Sequence, residues 1–379
     1  MPFGKACDVV LIHACAVTQA AESEVLRTAR KLRGAAFVVL AGCVAPDALP
    51  RAREAADCVL NGSENIAQRV TAAWTKSPLS AQPVHAEITP SFTTTRAWLK
   101  VQDGCDFRCA YCIVPDTRGA PRSRPLDECL REAEALFAAG HRELVITGCN
   151  ISCWQENGLR LPDLLARLAA RTPFPEARLR VGSLEPGATT REVVDLMAET
   201  PAFCRFLHVP LQHAAPEILR AMRRRCAVEE GRALLEHARA KIPGVALGAD
   251  FITGFPGETE EAFEALRAFI ASQVFANLHV FPYSERPGTP AAEMPGAVPH
   301  ALRKSRAREL IQLGAWQRAT FATEQVGCSQ RVLIERVAHG VGTGWTDTYL
   351  PCRVAGLTAK HCGRIVDFVP TRFENETLC

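Results

Sequence analysis

The chain is 379 residues long, 47% hydrophobic and 22% charged, with a formal net charge of +3. That balance belongs to folded globular protein, the slight charge does not by itself imply nucleic acid, and the length calls for two or three domains. No apolar run reaches membrane-spanning length and no signal peptide opens the chain, so a cytoplasmic location without membrane contact is expected.

The first segment, residues 1–75, alternates strand and helix. Asp8–Ile12, Phe37–Leu40 and Asp57–Leu60 read as buried parallel strands. Ala20–Leu32 reads as an amphipathic helix, with further helices near 47–56 and 64–74. Cys15 and Cys43 fall just past the ends of the first two strands, where ligands gather in open parallel sheets, so both thiols point into one crevice. Cys7 precedes the same strand that Cys15 follows, roughly 26 Å away if extended, too far to share one cluster. Residues 76–95 are rich in Ser, Thr and Pro and read as a linker.

From 96 to 315 the alternation resumes at longer period. Strands are predicted at Ala97–Gln102, Glu143–Thr147, Leu179–Ser183, Phe206–Pro210, Ala246–Thr253 and Asn277–Phe281, with helices between them such as Leu126–Ala139 and Glu260–Ser272. Six βα units make a partial barrel with its chemistry at the carboxyl ends of the strands. The tail, 324–372, reads as a small all-β module: strands at Gln330–Val337, Thr348–Val354 and Gly363–Val369, with Gly340–Gly344 as a hairpin turn. The predicted class is therefore α/β, with a small parallel N-terminal domain, a partial (βα)6 barrel and a C-terminal β-barrel.

The strongest chemical signal is Cys105, Cys109 and Cys112, a C-x3-C-x2-C run after the first barrel strand. Three thiolates on one loop can hold three irons of a [4Fe-4S] cluster and leave the fourth open to chelate a substrate, whereas electron carriers normally use four cysteines. With sixteen cysteines, the run arises by chance in about 0.03 such chains. Structural zinc wants two paired knuckles, and no second C-x2-C exists. In a reducing cytosol, abundant cysteine suggests metal or catalysis before disulfides.

Arginine clusters at Arg118-Arg122-Arg124, Arg220-Arg223-Arg224-Arg225 and Arg303-Lys304-Arg306-Arg308 could grip phosphates, although solvated helix faces explain them more simply. His85 and His237 read as surface residues. Trp345 and Tyr349 serve equally well as base-stacking platforms or as packing.

Together with Leu207–His213, Met222–Arg225 and Gly248–Thr259, these features resemble the methylthiotransferase family of radical S-adenosylmethionine (SAM) enzymes over nearly the whole chain, and the tail resembles the RNA-binding TRAM domain. The resemblance implies that Cys105, Cys109 and Cys112 hold the cluster that cleaves SAM to a 5′-deoxyadenosyl radical. It implies that Cys15 and Cys43 are two of three ligands to a second, auxiliary [4Fe-4S] cluster that carries sulfur. A second SAM supplies the methyl group. Thr147, Gly148, Asn150, Ser183, Glu185 and Gln212 are implied SAM contacts. The family's first auxiliary cysteine has no counterpart before Cys15, so a βα unit is expected to be missing; Cys149 and Cys153 are conceivable substitutes.

The expected function is methylthiolation of carbon 2 of N6-threonylcarbamoyladenosine beside the tRNA anticodon. The partners are the anticodon stem-loop, whose bases are already unstacked, and an electron donor such as flavodoxin or ferredoxin. The alternatives are isopentenyladenosine in tRNA, an aspartate of a ribosomal protein, or an inactive RNA-binding relic.

Overall fold

The computed structural model describes residues 9–61, 66–75 and 94–379. Cys7, His85 and all but the last two residues of the predicted linker lie outside them. Among the described residues no helix is long and apolar enough to cross a membrane.

The chain divides into two compact units. The first joins the N-terminal layer to Gly104–Ala120 and Ser284–Met294; the second comprises Phe92–Asp103, Pro121–Tyr283 and Pro295–Cys379. The cysteine loop is therefore grouped in space with the N-terminal layer, although the sequence places it inside the barrel.

In the first unit, strands β1 (Val9–Ala14), β2 (Phe37–Gly42) and β3 (Cys58–Asn61) form a parallel sheet with β2 central. Every residue of β2 is buried, as its unbroken apolar sequence requires of a strand covered on both faces. Helix α1 (Gln19–Leu32) starts at Thr18, whose hydroxyl accepts from the Ala21 amide at 3.1 Å, and it buries Leu26 and Ala29 against the sheet.

In the second unit, β4 (Arg96–Lys100), β5 (Glu143–Thr147), β6 (Arg178–Val181), β7 (Phe206–Gln212), β8 (Ala246–Thr253) and β9 (Asn277–Pro282) are parallel and adjacent in chain order. They form two hydrogen-bonded triplets, β4–β6 and β7–β9, linked by single bonds such as Leu184 N to His208 O at 2.9 Å. Leu207, Val209, Ala249, Phe251 and Val280 pack into the main core, so the alternate residues of β7–β9 turn to the other face. This is the partial barrel foreseen from the alternation.

A long helix, α2 (His300–Glu324), leads into the tail. It spans the interval left open between barrel and tail. The tail sheet comprises β10 (Gln330–Ala338), β11 (Val341–Thr346), β12 (Pro351–Ala355), β13 (Ile365–Phe368), β14 (Phe373–Glu374) and β15 (Thr377–Leu378), in the order β13-β10-β11-β12-β15-β14. The last two strands lie beyond the predicted boundary at 372. The glycine run is also not a turn throughout. Gly342 and Gly344 sit inside β11, where a Cβ on Gly344 would come 1.9 Å from Leu333 O. The crowding of β10 on β11 demands glycine there, and only His339 and Gly340 have the positive φ of the turn.

The tail docks on the amino ends of the barrel strands. Glu143, wholly buried at the start of β5, accepts from Arg178 Nε at 2.6 Å and Arg180 Nε at 2.7 Å. Arg178 also donates to Arg331 O and Trp345 O, and Arg180 to Thr346 O and Asp347 O. Burial alone would raise the Glu143 pKa; Arg180 and Arg178 outweigh it and hold the group at about 2. Trp345 stacks on Tyr349 at 4.9 Å, and Tyr349 packs against Phe206 and under Arg180. Both rings thus serve the packing of tail on barrel.

Candidate functional site

The cysteine loop is shaped by its backbone. Gly104 has φ +72°, and a Cβ there would lie 2.1 Å from Ala120 O, so only glycine admits the close approach that lets Cys105 N bond Gly119 O at 3.1 Å. The chain then turns at Cys109–Cys112, where Cys112 N donates to Cys109 O, and enters the short helix Val114–Arg118. Cys109 is buried; Cys105 and Cys112 are half-buried. Backbone amides point at two of the sulfurs: Phe107 N at Cys105 Sγ and Val114 N at Cys112 Sγ, each 3.4 Å. Amide donors aimed at sulfur stabilise the thiolate form that an iron–sulfur cluster requires. The donor set and its surroundings therefore fit such a cluster.

In the same compact unit, the parallel register sets Ala14 opposite Gly42. Cys15 and Cys43 therefore leave neighbouring strand ends side by side, as predicted. Cys43 N bonds Ala14 O at 3.0 Å. Gly42, with φ +115°, lies too close to Ala14 O and the His13 ring for a side chain, and both cysteines are half-buried. Arg118 Nε donates to Cys43 Sγ at 2.8 Å. The loop that bears the triad thus ends on a guanidinium that reaches the second cysteine pair. The only trace of this in the sequence is an arginine in a basic cluster.

The six residues implied as SAM contacts all lie at or just beyond carboxyl ends of barrel strands. Thr147 closes β5 and Gly148 follows it, with no room for a Cβ against Gln102 O at 2.7 Å. Asn150 is buried, its backbone N–H donating to Gln102 Oε1 at 2.8 Å. Ser183 and Glu185 follow β6. Gln212 closes β7 at φ +70°, a left-handed conformation uncommon for glutamine, beside a register shift between Val209 and Gln212. Glu185 is engaged by Arg224 through both terminal guanidinium nitrogens, and Arg224 also donates to Pro210 O at 2.9 Å. Arg224 is 3% exposed at its side chain, so this member of a basic cluster is a buried partner.

Other sequence readings need correcting. Arg303 and Arg306 are buried, so they neither grip phosphate nor face solvent. Arg303 donates to Val298 O at 2.6 Å and Arg306 to Glu258 at 2.7 Å. The carboxylate that Arg306 meets is itself buried, between Arg306 and His213. His237 is partly buried and lies 2.9 Å from Asp195. Cys149 sits 3.1 Å from Asp103, in the second compact unit.

The sequence model of the Radical SAM superfamily matches residues 99–270. The ribosomal protein uS12 methylthiotransferase RimO of Synechococcus sp. (strain JA-3-3Ab) is 35% identical over 87% of this chain and 75% of its own. RimO of Desulforudis audaxviator is 35% identical over 86% of this chain and 77% of its own. The threonylcarbamoyladenosine tRNA methylthiotransferase MtaB of Bacillus subtilis is 30% identical over 96% of this chain and 85% of its own. Among solved structures, the radical SAM methyltransferase TsrM of Kitasatospora setae shares the fold: TM-score 0.55, 16% identity, 89% of this chain and 67% of that one.

Proposed function

The chain belongs to the radical SAM methylthiotransferases, and on that premise we propose that its substrate is an aspartate of ribosomal protein uS12, rather than the threonylcarbamoyl-modified adenosine of tRNA expected from the sequence. Methylthiotransferase chemistry itself comes with the family. The substrate is the finer question, and two observations pull on it. Identity favours an aspartate of ribosomal protein uS12, since the RimO relatives are the more similar per residue and the more numerous of those described. Extent favours tRNA, since the match to the B. subtilis tRNA enzyme covers more of both chains. The radical barrel is common to both, so selection between substrates resides largely outside it. The greater identity and number of the RimO relatives carry our reading, and the longer match keeps tRNA as the second.

In this reading Cys105, Cys109 and Cys112 hold the [4Fe-4S] cluster, with the Phe107 and Val114 amides favouring the thiolate form of Cys105 and Cys112. The cluster and SAM supply the radical that removes an unreactive hydrogen atom. Cys15 and Cys43 hold the auxiliary cluster, and Arg118 neutralises part of the charge that gathers on Cys43. Glu185, fixed by Arg224, and strained Gln212 orient SAM at the strand ends. An electron donor of the flavodoxin or ferredoxin type completes the system. The radical chemistry itself rests on the amide-solvated cysteine triad.

The test is anaerobic reconstitution with iron and sulfide counting, followed by mass spectrometry of both tRNA nucleosides and uS12 from a deletion strain. A lost methylthio nucleoside with intact uS12 supports the tRNA reading. A lost methylthio group on uS12 alone supports the ribosomal reading. No change in either identifies a relic.

A further inference from the structure

A side-chain cluster on β7–β9 has no part in the chemistry above. His208, Asp250 and His279 come from three adjacent parallel strands, on the face turned away from the helices. Asp250 Oδ1 lies 2.9 Å from His208 Nε2 and 3.0 Å from His279 Nδ1. All three donor atoms fall within 4.8 Å of one another.

The surroundings are built for this convergence. Register sets Asp250 opposite His279 and His208 opposite Gly248. A Cβ on Gly248 would lie 2.4 Å from His208 Nδ1, so glycine is what lets that imidazole lie across β8 toward Asp250. The Asn277 side-chain amide stands 3.1 Å from the outer nitrogen of His279. His208 is buried, Asp250 half-buried, and the His279 side chain 48% exposed, so one side of the cluster opens to solvent.

We propose that these three residues form a binding site for one divalent transition-metal ion of the zinc class, distinct from both cysteine groups. Two imidazole nitrogens and one carboxylate oxygen, with a fourth position open to water, are the donor set such ions take; calcium and magnesium prefer oxygen alone. Zinc bonds of about 2.0–2.1 Å in tetrahedral array separate ligand atoms by roughly 3.4 Å, so the two Asp250–imidazole spacings have to open by about 0.4 Å, while the two imidazole nitrogens, within 4.8 Å of each other, settle to the same separation. Each neutral imidazole keeps its proton by shifting it to the far ring nitrogen. At His279 that nitrogen faces Asn277, whose amide oxygen accepts it after a half-turn of the amide. Donors carried on three neighbouring strands are held more rigidly than donors on loops.

The experiment uses the full chain with its clusters reconstituted. Wild type, His279→Ala and Asp250→Asn are equilibrated with Zn2+, dialysed, and counted for zinc and iron, and the zinc environment is read by X-ray absorption at the zinc edge. The expected result is one more zinc per chain in wild type than in either variant, at equal iron content, with nitrogen and oxygen in the wild-type zinc shell. Equal zinc in all three proteins overturns the proposal and leaves a hydrogen-bonded triad. If the variants fail to fold, the wild-type spectrum decides: an all-sulfur shell, or no retained zinc, overturns it equally.

Discussion

Arg118 Nε lies 2.8 Å from Cys43 Sγ, and the two residues are 75 positions apart in the chain. One guanidinium thereby ties the helix that follows the cysteine triad to the end of β2. If Cys15 and Cys43 hold the auxiliary cluster of the proposed function, a positive charge against the Cys43 thiolate helps to retain it. Arg118→Ala is expected to keep the iron of the triad and to lose most of the rest, falling from about eight irons per chain toward about four. Arg118→Lys, which keeps the charge without the planar fork, should retain an intermediate amount. Iron and sulfide counting with Mössbauer spectroscopy decides; unchanged iron in Arg118→Ala refutes the link.

Gly104→Ala should cripple the same loop without touching a ligand. The substitution meets both a positive φ and a backbone oxygen 2.1 Å away. We expect a stability loss of about 1–3 kcal/mol and a several-fold fall in retained iron. Thermal melting of the metal-free protein separates the two effects.

Glu185 and Arg224 should behave as a unit. Glu185→Ala and Arg224→Ala are each expected to weaken SAM binding by about tenfold, roughly 1.4 kcal/mol. The double variant should add little, since either change already releases the other partner. Calorimetric titration of SAM into the four proteins measures this; full additivity would show that the pair does not orient SAM.

Acid should loosen the docking of tail on barrel. Glu143 is held at about 2 in the folded chain against an ordinary value of 4.5. The unfolded chain therefore takes up this proton first as pH falls. The stabilisation is fully present above about pH 4.5 and drains away toward pH 2, and its size is on the order of 3 kcal/mol. Glu143→Gln leaves two buried arginines short of a counter-charge and should cost about 3–5 kcal/mol at neutral pH. Urea unfolding across that pH range should show a flatter acid limb in the variant.

The parts of this site that local pattern encodes were legible. Spacing alone singles out the triad as a candidate, and the strand-end rule sets Cys15 beside Cys43, because two parallel strands of similar phase must finish together. Barrel strands such as Glu143–Thr147 and Ala246–Thr253 followed from apolar runs between helices. What periodicity cannot carry is the identity of a distant partner. Arg118, Arg224, Arg303 and Arg306 looked alike in sequence, yet each is fixed by a different contact. Trp345 and Tyr349 were ambiguous for the same reason: a ring suited to a nucleobase is equally suited to Phe206 and Arg180. Gly342 and Gly344 read as a turn because close strand packing and tight turns both select glycine.

The ion network at Glu143 also constrains how such enzymes can be re-engineered. Arg178 and Arg180 spend their donors on main-chain oxygens at 331 and 345–347, so the tail is not an interchangeable cartridge. A chimera that grafts a relative's tail onto this barrel has to reproduce that backbone path, or it strands two cations in a dry socket. Retargeting by wholesale module exchange should then yield aggregates, whereas resurfacing the outward strands of the native tail leaves the joint intact.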